Sequence, residues 1–321
     1  MDDAEPPKSS LTESTKTTIM VLVALIVVLI VAGIGVATVR DATDSLRKVT
    51  ATTTTSTAPA GAAQGAPAGD LSSEESRVIE EIKAQVAAIR GLPWKGSLPI
   101  RVLTQEELAQ RVRALNAKEI AEHREEMAAD ESVLKLLKLI PKDLDYAKAV
   151  DDLLAGLVLG FYDDEAKELF VGGGGSATPD AATRSTLAHE LTHALTDQHF
   201  DFASKTKVLD DQHRTEEAFA FTALIEGDAN LVESLWQERH LSDRERLEAA
   251  LGGSADGGAL AKAPQYLLDS LRFPYEEGLA FVRSRYRAGG FAEVDNAYRR
   301  PPTSTEQILH PETYTTGQGW T

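Results

Sequence analysis

Residues 187–195 read Leu-Ala-His-Glu-Leu-Thr-His-Ala-Leu. Two histidines four positions apart share one face of a helix, so His189 and His193 can both reach a single metal ion. Imidazole is a common zinc ligand, and zinc lowers the pKa of a water it binds. Glu190 follows the first histidine directly and can face that water, taking its proton and later passing it to a leaving amine. The pattern therefore points to metal-assisted hydrolysis, with Zn²⁺ as the expected cofactor and a peptide or protein as the expected substrate.

Two histidines leave a third ligand to find. His199 falls six residues after His193, where the metzincin pattern puts its third histidine. That pattern also needs a glycine three residues after the second histidine, and Thr196 stands there. It takes its name from a downstream Met-turn, whereas Met1, Met20 and Met127 all lie upstream. The other candidate is a carboxylate on a following helix, as in gluzincins. Glu226 lies thirty-three residues after His193 in Ala-Leu-Ile-Glu-Gly-Asp-Ala, beside Ala218, Phe219, Phe221, Leu224 and Ile225. A carboxylate amid apolar side chains is costly unless paired or metal-bound, which favours Glu226. Glu216 and Glu217 are rivals, but they sit near the helix start, where acids are favoured anyway. Asp228 and Asn230 are candidates for orienting a histidine ring. His310, after Thr-Glu-Gln-Ile-Leu, is a candidate catalytic residue that would stabilise an oxyanion, or else a capping residue beside Pro311. Tyr266 and Tyr275 could take the same role. His123, His213 and His240 read as surface residues.

The elements around these residues can be read from periodicity and punctuation. Val78, Ile82, Val86 and Ile89 recur at helical spacing in a helix from Ser72 or Ser73 through Arg90. Residues 98–103 read as a strand, and Thr104 opens a capping box with Glu107 before a helix to about residue 129. Further helices are expected over 131–140 and 142–154, separated by Pro141. Residues 157–162 and 168–171 form a β-hairpin pattern. Gly172 to Gly175 make a loop that could form a rim, and Thr178-Pro179 reads as the start of the motif helix, which runs to about residue 198. A second long helix spans 214–240, where Gly227 is unfavourable on propensity but permits close approach of another helix. Another helix starts near Gln265, is interrupted at Pro274 and ends near Arg287. The end of the chain, with Pro301, Pro302 and Pro311, reads as irregular.

Three stretches, 184–200 (RSTLAHELTHALTDQHF), 225–229 (IEGDA) and 301–311 (PPTSTEQILHP), resemble a group of poorly characterised bacterial zincin-like proteins. The similarity spans residues 157–310. It implies a metallopeptidase-type fold of the gluzincin-like kind, with an edge strand beside the motif helix, and it implies no particular substrate.

Composition sets the frame. Of 321 residues, 42% are hydrophobic and 26% charged, and the formal net charge is −17. No cluster of Lys and Arg stands out, so nucleic acid is not an expected partner. With no cysteine, disulfides, cysteine-ligated zinc, iron–sulfur clusters and thiol nucleophiles are excluded. Residues 19–39 (IMVLVALIVVLIVAGIGVATV) carry no charge and match the length that crosses bilayer hydrocarbon. The run is longer than a usual signal core and lacks a small-x-small cleavage site. Residues 50–69 (TATTTTSTAPAGAAQGAPAG) cannot bury enough apolar surface to fold and read as a stalk. Lys8 and Lys16 precede the span and Arg40, Arg47 and Lys48 follow it, a small bias that large translocated domains override.

The expected organisation is a short cytoplasmic tail at 1–18, a transmembrane anchor at 19–39, a flexible linker at 40–70 and a zincin-like domain at 71–321. That places a single-pass protein in the cell membrane with its catalytic domain outside. The expected fold is α+β and predominantly helical, with a small sheet beside the active-site helix. Two other classes compete: a non-catalytic binding protein that keeps the zincin fold, and a structural, helix-rich envelope protein that holds no metal. An intramembrane protease is excluded because the motif helix carries Asp180, Arg184 and Asp197 and lies far from residues 19–39.

Overall fold

A computed structural model describes residues 73–157, 160–172, 179–252 and 263–317. The tail, anchor and linker expected over 1–70 lie outside the described residues, as do Thr178 and the glycines after Gly172. Among the described residues no helix is long and apolar enough to cross a membrane.

The fold is 75% helical with one three-stranded sheet. In chain order the elements begin with α1 (Ser73–Arg90), β1 (Ile100–Leu103), α2 (Gln105–Glu122), α3 (Arg124–Leu136) and α4 (Tyr146–Leu157). The hairpin β2 (Gly160–Asp163) and β3 (Glu168–Gly172) leads to the motif helix α5 (Ala181–Phe200). Then come α6 (Phe202–Asp211), α7 (Thr215–His240), α8 (Asp243–Gly252) and α9 (Gln265–Gly289). Three short helices, α10 (Phe291–Arg299), α11 (Thr305–Leu309) and α12 (Pro311–Thr316), close the described chain.

The sheet order is β1-β3-β2, with β1 parallel and β2 antiparallel to β3. Phe161 pairs with Phe170 across the hairpin, and their rings stack at 5.1 Å. β2 is thus an edge strand, and its Tyr162 turns towards α5. Around α5 and α7 lies one core, to which α1 adds Ile79, Ile82 and Val86 and α9 adds Phe281 and Val282. A second core joins α2, α3 and α4 to the starts of α7 and α9 through Leu108, Met127, Leu134, Leu153, Phe219 and Leu267.

The capping box forms as the sequence dictates: Glu107 N–H donates to Thr104 Oγ1, and Thr104 N–H donates to Glu107 at 2.8 Å. Four local readings are corrected. The expected helix to residue 129 is broken at His123, which lets α2 send Leu108 and Val112, and α3 send Met127 and Leu134, into the same core. The motif helix starts at Ala181, because the Asp180 side chain accepts from Thr183 N–H at 2.8 Å and caps it. Pro274 sits inside a continuous α9, where burial against the core outweighs its missing N–H. The proline-rich end holds two short helices, α11 and α12, and Pro311 occupies a first-turn position of α12 where its missing N–H costs nothing.

α5 is not amphipathic. Every side chain from Ser185 to Asp197 is buried, as expected of a helix enclosed on all sides. It therefore carries His189, Glu190, Thr192, His193, Thr196 and Asp197 into the interior, and the neighbouring elements must satisfy them.

Candidate metal centre

His189, His193 and Glu226 meet where α5 packs against α7. The His189 and His193 Nε2 atoms lie 3.0 Å apart, and Glu226 Oε2 stands 3.3 Å from the first and 3.5 Å from the second. A tetrahedral site with bonds of about 2.0–2.1 Å has edges of about 3.3–3.4 Å. The three donors thus outline one face of such a tetrahedron, and all three residues are buried.

Behind the first histidine, Glu233 Oε2 lies 3.1 Å from His189 Nδ1. Glu233 is held in turn by Ser185 Oγ at 2.5 Å and Gln237 Nε2 at 3.1 Å. A carboxylate on Nδ1 fixes the tautomer that leaves Nε2 free to bind a metal. Glu233 and Gln237 both belong to α7, so one helix supplies the third donor and the orienting carboxylate.

Glu190 is fully buried beside this group. Its Oε2 accepts from Tyr162 N–H of β2 at 2.9 Å, while Oε1 has no hydrogen-bond partner among the described residues. Tyr162 also donates its hydroxyl to Asp197 at 2.8 Å, two turns further along α5, and Lys167 pairs with the same carboxylate. The edge strand is therefore fastened to the motif helix at two points. From α9, the Tyr275 hydroxyl hydrogen-bonds to Glu226. A small cavity lined by Tyr162, His193, Phe202, Thr222, Ile225 and Glu226 leaves about 10 Å³ for the centre of a water-sized sphere. That is room for about one water.

The charge balance is unusual. Asp228, two residues after Glu226, pairs with buried Arg90 at 3.0 Å, and Arg90 reaches Asp295 at 2.7 Å. Asp197 has Lys167. Glu190, Glu226 and Glu233 have no Lys or Arg partner among the described residues, only the two imidazoles. Burial would push the His189 pKa down, but hydrogen bonds with Glu226 and Glu233 raise it to about 10. Burial would also raise Glu226, yet the His193 and His189 imidazoles hold it below the usual carboxylate range. Burial, aided by Glu226 and Glu233, pushes Glu190 well up. Burial and the Glu226 and Glu190 charges do the same to Tyr275. Three carboxylates buried around two imidazoles are a costly set that a divalent cation would balance. Both the donor chemistry and the spacing fit zinc.

The other sequence candidates lie elsewhere. His199 Nε2 is 2.7 Å from the Pro93 carbonyl oxygen, away from the three donors. His310 is exposed at the junction of α11 and α12, its ring beside Glu306 and Glu312. Tyr266 belongs to the second core, where its carbonyl accepts from Ser270. Glu216 accepts from Thr305, and Glu217 pairs with Arg214. Asn230 donates to the Tyr275 carbonyl at 3.2 Å, so neither it nor Asp228 orients a histidine ring. Sequence reasoning missed Glu233 and Tyr162. Glu233 had a signal, since seven residues after Glu226 is two turns along one helix face; the Tyr162 contact is made by a backbone N–H and leaves no mark in residue type. Comparisons of the chain with protein-family models, with curated proteins and with solved structures found no match.

Proposed function

We propose that this chain is a membrane-anchored, zinc-dependent metallopeptidase that hydrolyses peptide bonds outside the membrane. The observation that carries the proposal is the buried set of His189, His193 and Glu226, with Glu190 alongside and, among the described residues, no Lys or Arg to balance the carboxylates. His189, His193 and Glu226 would hold the ion. When bound, zinc would supply Lewis acidity, acidifying a water and polarising a carbonyl oxygen. Glu190 would take the proton of the attacking water on its unpartnered Oε1 and return it to the leaving amine. The Tyr162 N–H fixes the other oxygen of Glu190, so the base is oriented before substrate arrives. Tyr275, rather than His310, would turn its hydroxyl from Glu226 to donate a hydrogen bond to a carbonyl oxygen as it gains charge. Glu233 would keep His189 in its ligating orientation.

One observation favours a second reading, a non-catalytic zincin-fold binding or structural protein of the cell envelope. His189, His193 and Glu226 are only 2%, 3% and 2% exposed, a depth that also suits a metal held to brace the fold. Glu190→Gln separates the two. The enzyme should keep its metal in this variant and lose hydrolysis of a mixed peptide library, with wild type active. Hydrolysis that survives the substitution would remove Glu190 as the base, and an inactive wild type with bound metal would favour the bracing role.

A further inference from the structure

Among the described residues, six large hydrophobic side chains are exposed, and three of them fall within four positions at the end of α3. Leu136, Leu137 and Leu139 are 80%, 61% and 44% exposed. The backbone turns sharply at this point. Lys138 adopts the left-handed region with φ 61°, disfavoured for a residue with a Cβ. Leu139 N–H bonds back to the Leu134 carbonyl at 2.9 Å, and Leu137 N–H to that of Val133 at 2.9 Å. Leu134 and Ile140 on either side are each 4% exposed and anchored in the second core. A tight turn thus buries its two flanking apolar residues and holds three leucines outward.

Between Glu131, which pairs with Lys135, and the exposed Asp143, the charged residues of this knuckle are lysines alone. Residues 132–142 (SVLKLLKLIPK) contain three lysines and no acid in a chain of net charge −17. Lys135 pairs with Glu131 at 2.7 Å. Lys138 and Lys142 are exposed and enter no ion pair among the described residues. Exposed apolar side chains with these two unpaired lysines close in sequence suit the headgroup region of an anionic bilayer, which would repel the acidic remainder of the surface.

We propose that the Leu136-Leu137-Lys138-Leu139 knuckle is a membrane-docking surface. The leucines enter the interfacial layer while Lys138 and Lys142 meet anionic headgroups. The proposal is independent of chemistry at His189, and it would fix which side of the domain faces the bilayer.

The chain has no cysteine, so a single Leu137→Cys substitution can carry an environment-sensitive fluorophore. The full-length chain would be reconstituted with vesicles of phosphatidylcholine, with or without phosphatidylglycerol. Leu247→Cys, 60% exposed in wild type, serves as the comparison site. With phosphatidylglycerol, the label at 137 should shift its emission to the blue and lose acrylamide quenching several-fold, while the label at 247 stays open. High salt, or Lys138→Glu with Lys142→Glu, should restore quenching. Equal quenching at both positions with phosphatidylglycerol present would overturn the proposal. So would protection in vesicle-free detergent that grows with protein concentration, which would assign the knuckle to contact between copies. Flotation with neutral vesicles reads the N-terminal anchor separately, so failure of the anchor is distinguishable from failure of the knuckle.

Discussion

Gly227 of α7 and Gly278 of α9 face each other so closely that a Cβ on Gly227 would lie 2.2 Å from the Gly278 carbonyl oxygen. A Cβ on Gly278 would lie 2.0 Å from the Ala223 carbonyl oxygen. Real Cβ atoms do not approach backbone oxygens so closely, so the two glycines set the spacing of the helices. Glu226 immediately precedes Gly227, and Tyr275 stands about one turn before Gly278. The crossing is therefore what brings the Tyr275 hydroxyl to the Glu226 carboxylate.

Gly227→Ala should force the helices apart. The expected loss is about 1–3 kcal/mol or more, the usual range for overpacking a close contact. Gly96→Ala, where a Cβ meets nothing within 4 Å, should leave stability unchanged. Chemical denaturation midpoints of the two variants beside wild type measure this directly, and equal midpoints would sink the account of the crossing.

Part of this was legible in the sequence. His189, Glu190 and His193 are neighbours on one helix, so their grouping follows from local periodicity alone. Glu226 was legible because a carboxylate in an apolar run needs a reason, and Gly227 because a mid-helix glycine usually marks close packing. Helix phase explains what was missed. Asp228 lies about 200° around α7 from Glu226 and so meets Arg90 on the opposite side, whereas seven residues return Glu233 to nearly the same direction. Which face of α7 meets α5 is a tertiary fact, as is the placement of His310 outside the group. The hairpin and capping box are short-range features and were read correctly; the division of the helix at His123 serves a core shared with α4 and could not be.

Glu233→Gln should weaken zinc binding about 10–100-fold, because His189 loses the carboxylate that fixes its ring. The fold should survive, since an amide can still take a hydrogen bond from Ser185. Competition with a chelator of known affinity measures the first, and circular dichroism the second. Unchanged affinity would reduce Glu233 to a packing residue.

Tyr275→Phe removes one hydroxyl and little volume. If Tyr275 donates to the developing oxyanion, kcat should fall about 10²–10³-fold with bound zinc and KM little changed. His310→Ala, an exposed position, should leave both unaltered. Loss of activity in the second variant with none in the first would exchange the two roles.

The most direct test of the account is the metal content of the full-length chain, purified in detergent without added metal, beside a Glu226→Ala variant. The account predicts about one tightly held zinc per wild-type chain and markedly weaker binding in the variant. A folded wild type that holds no zinc, or a Glu226→Ala variant that holds it as tightly, would contradict it.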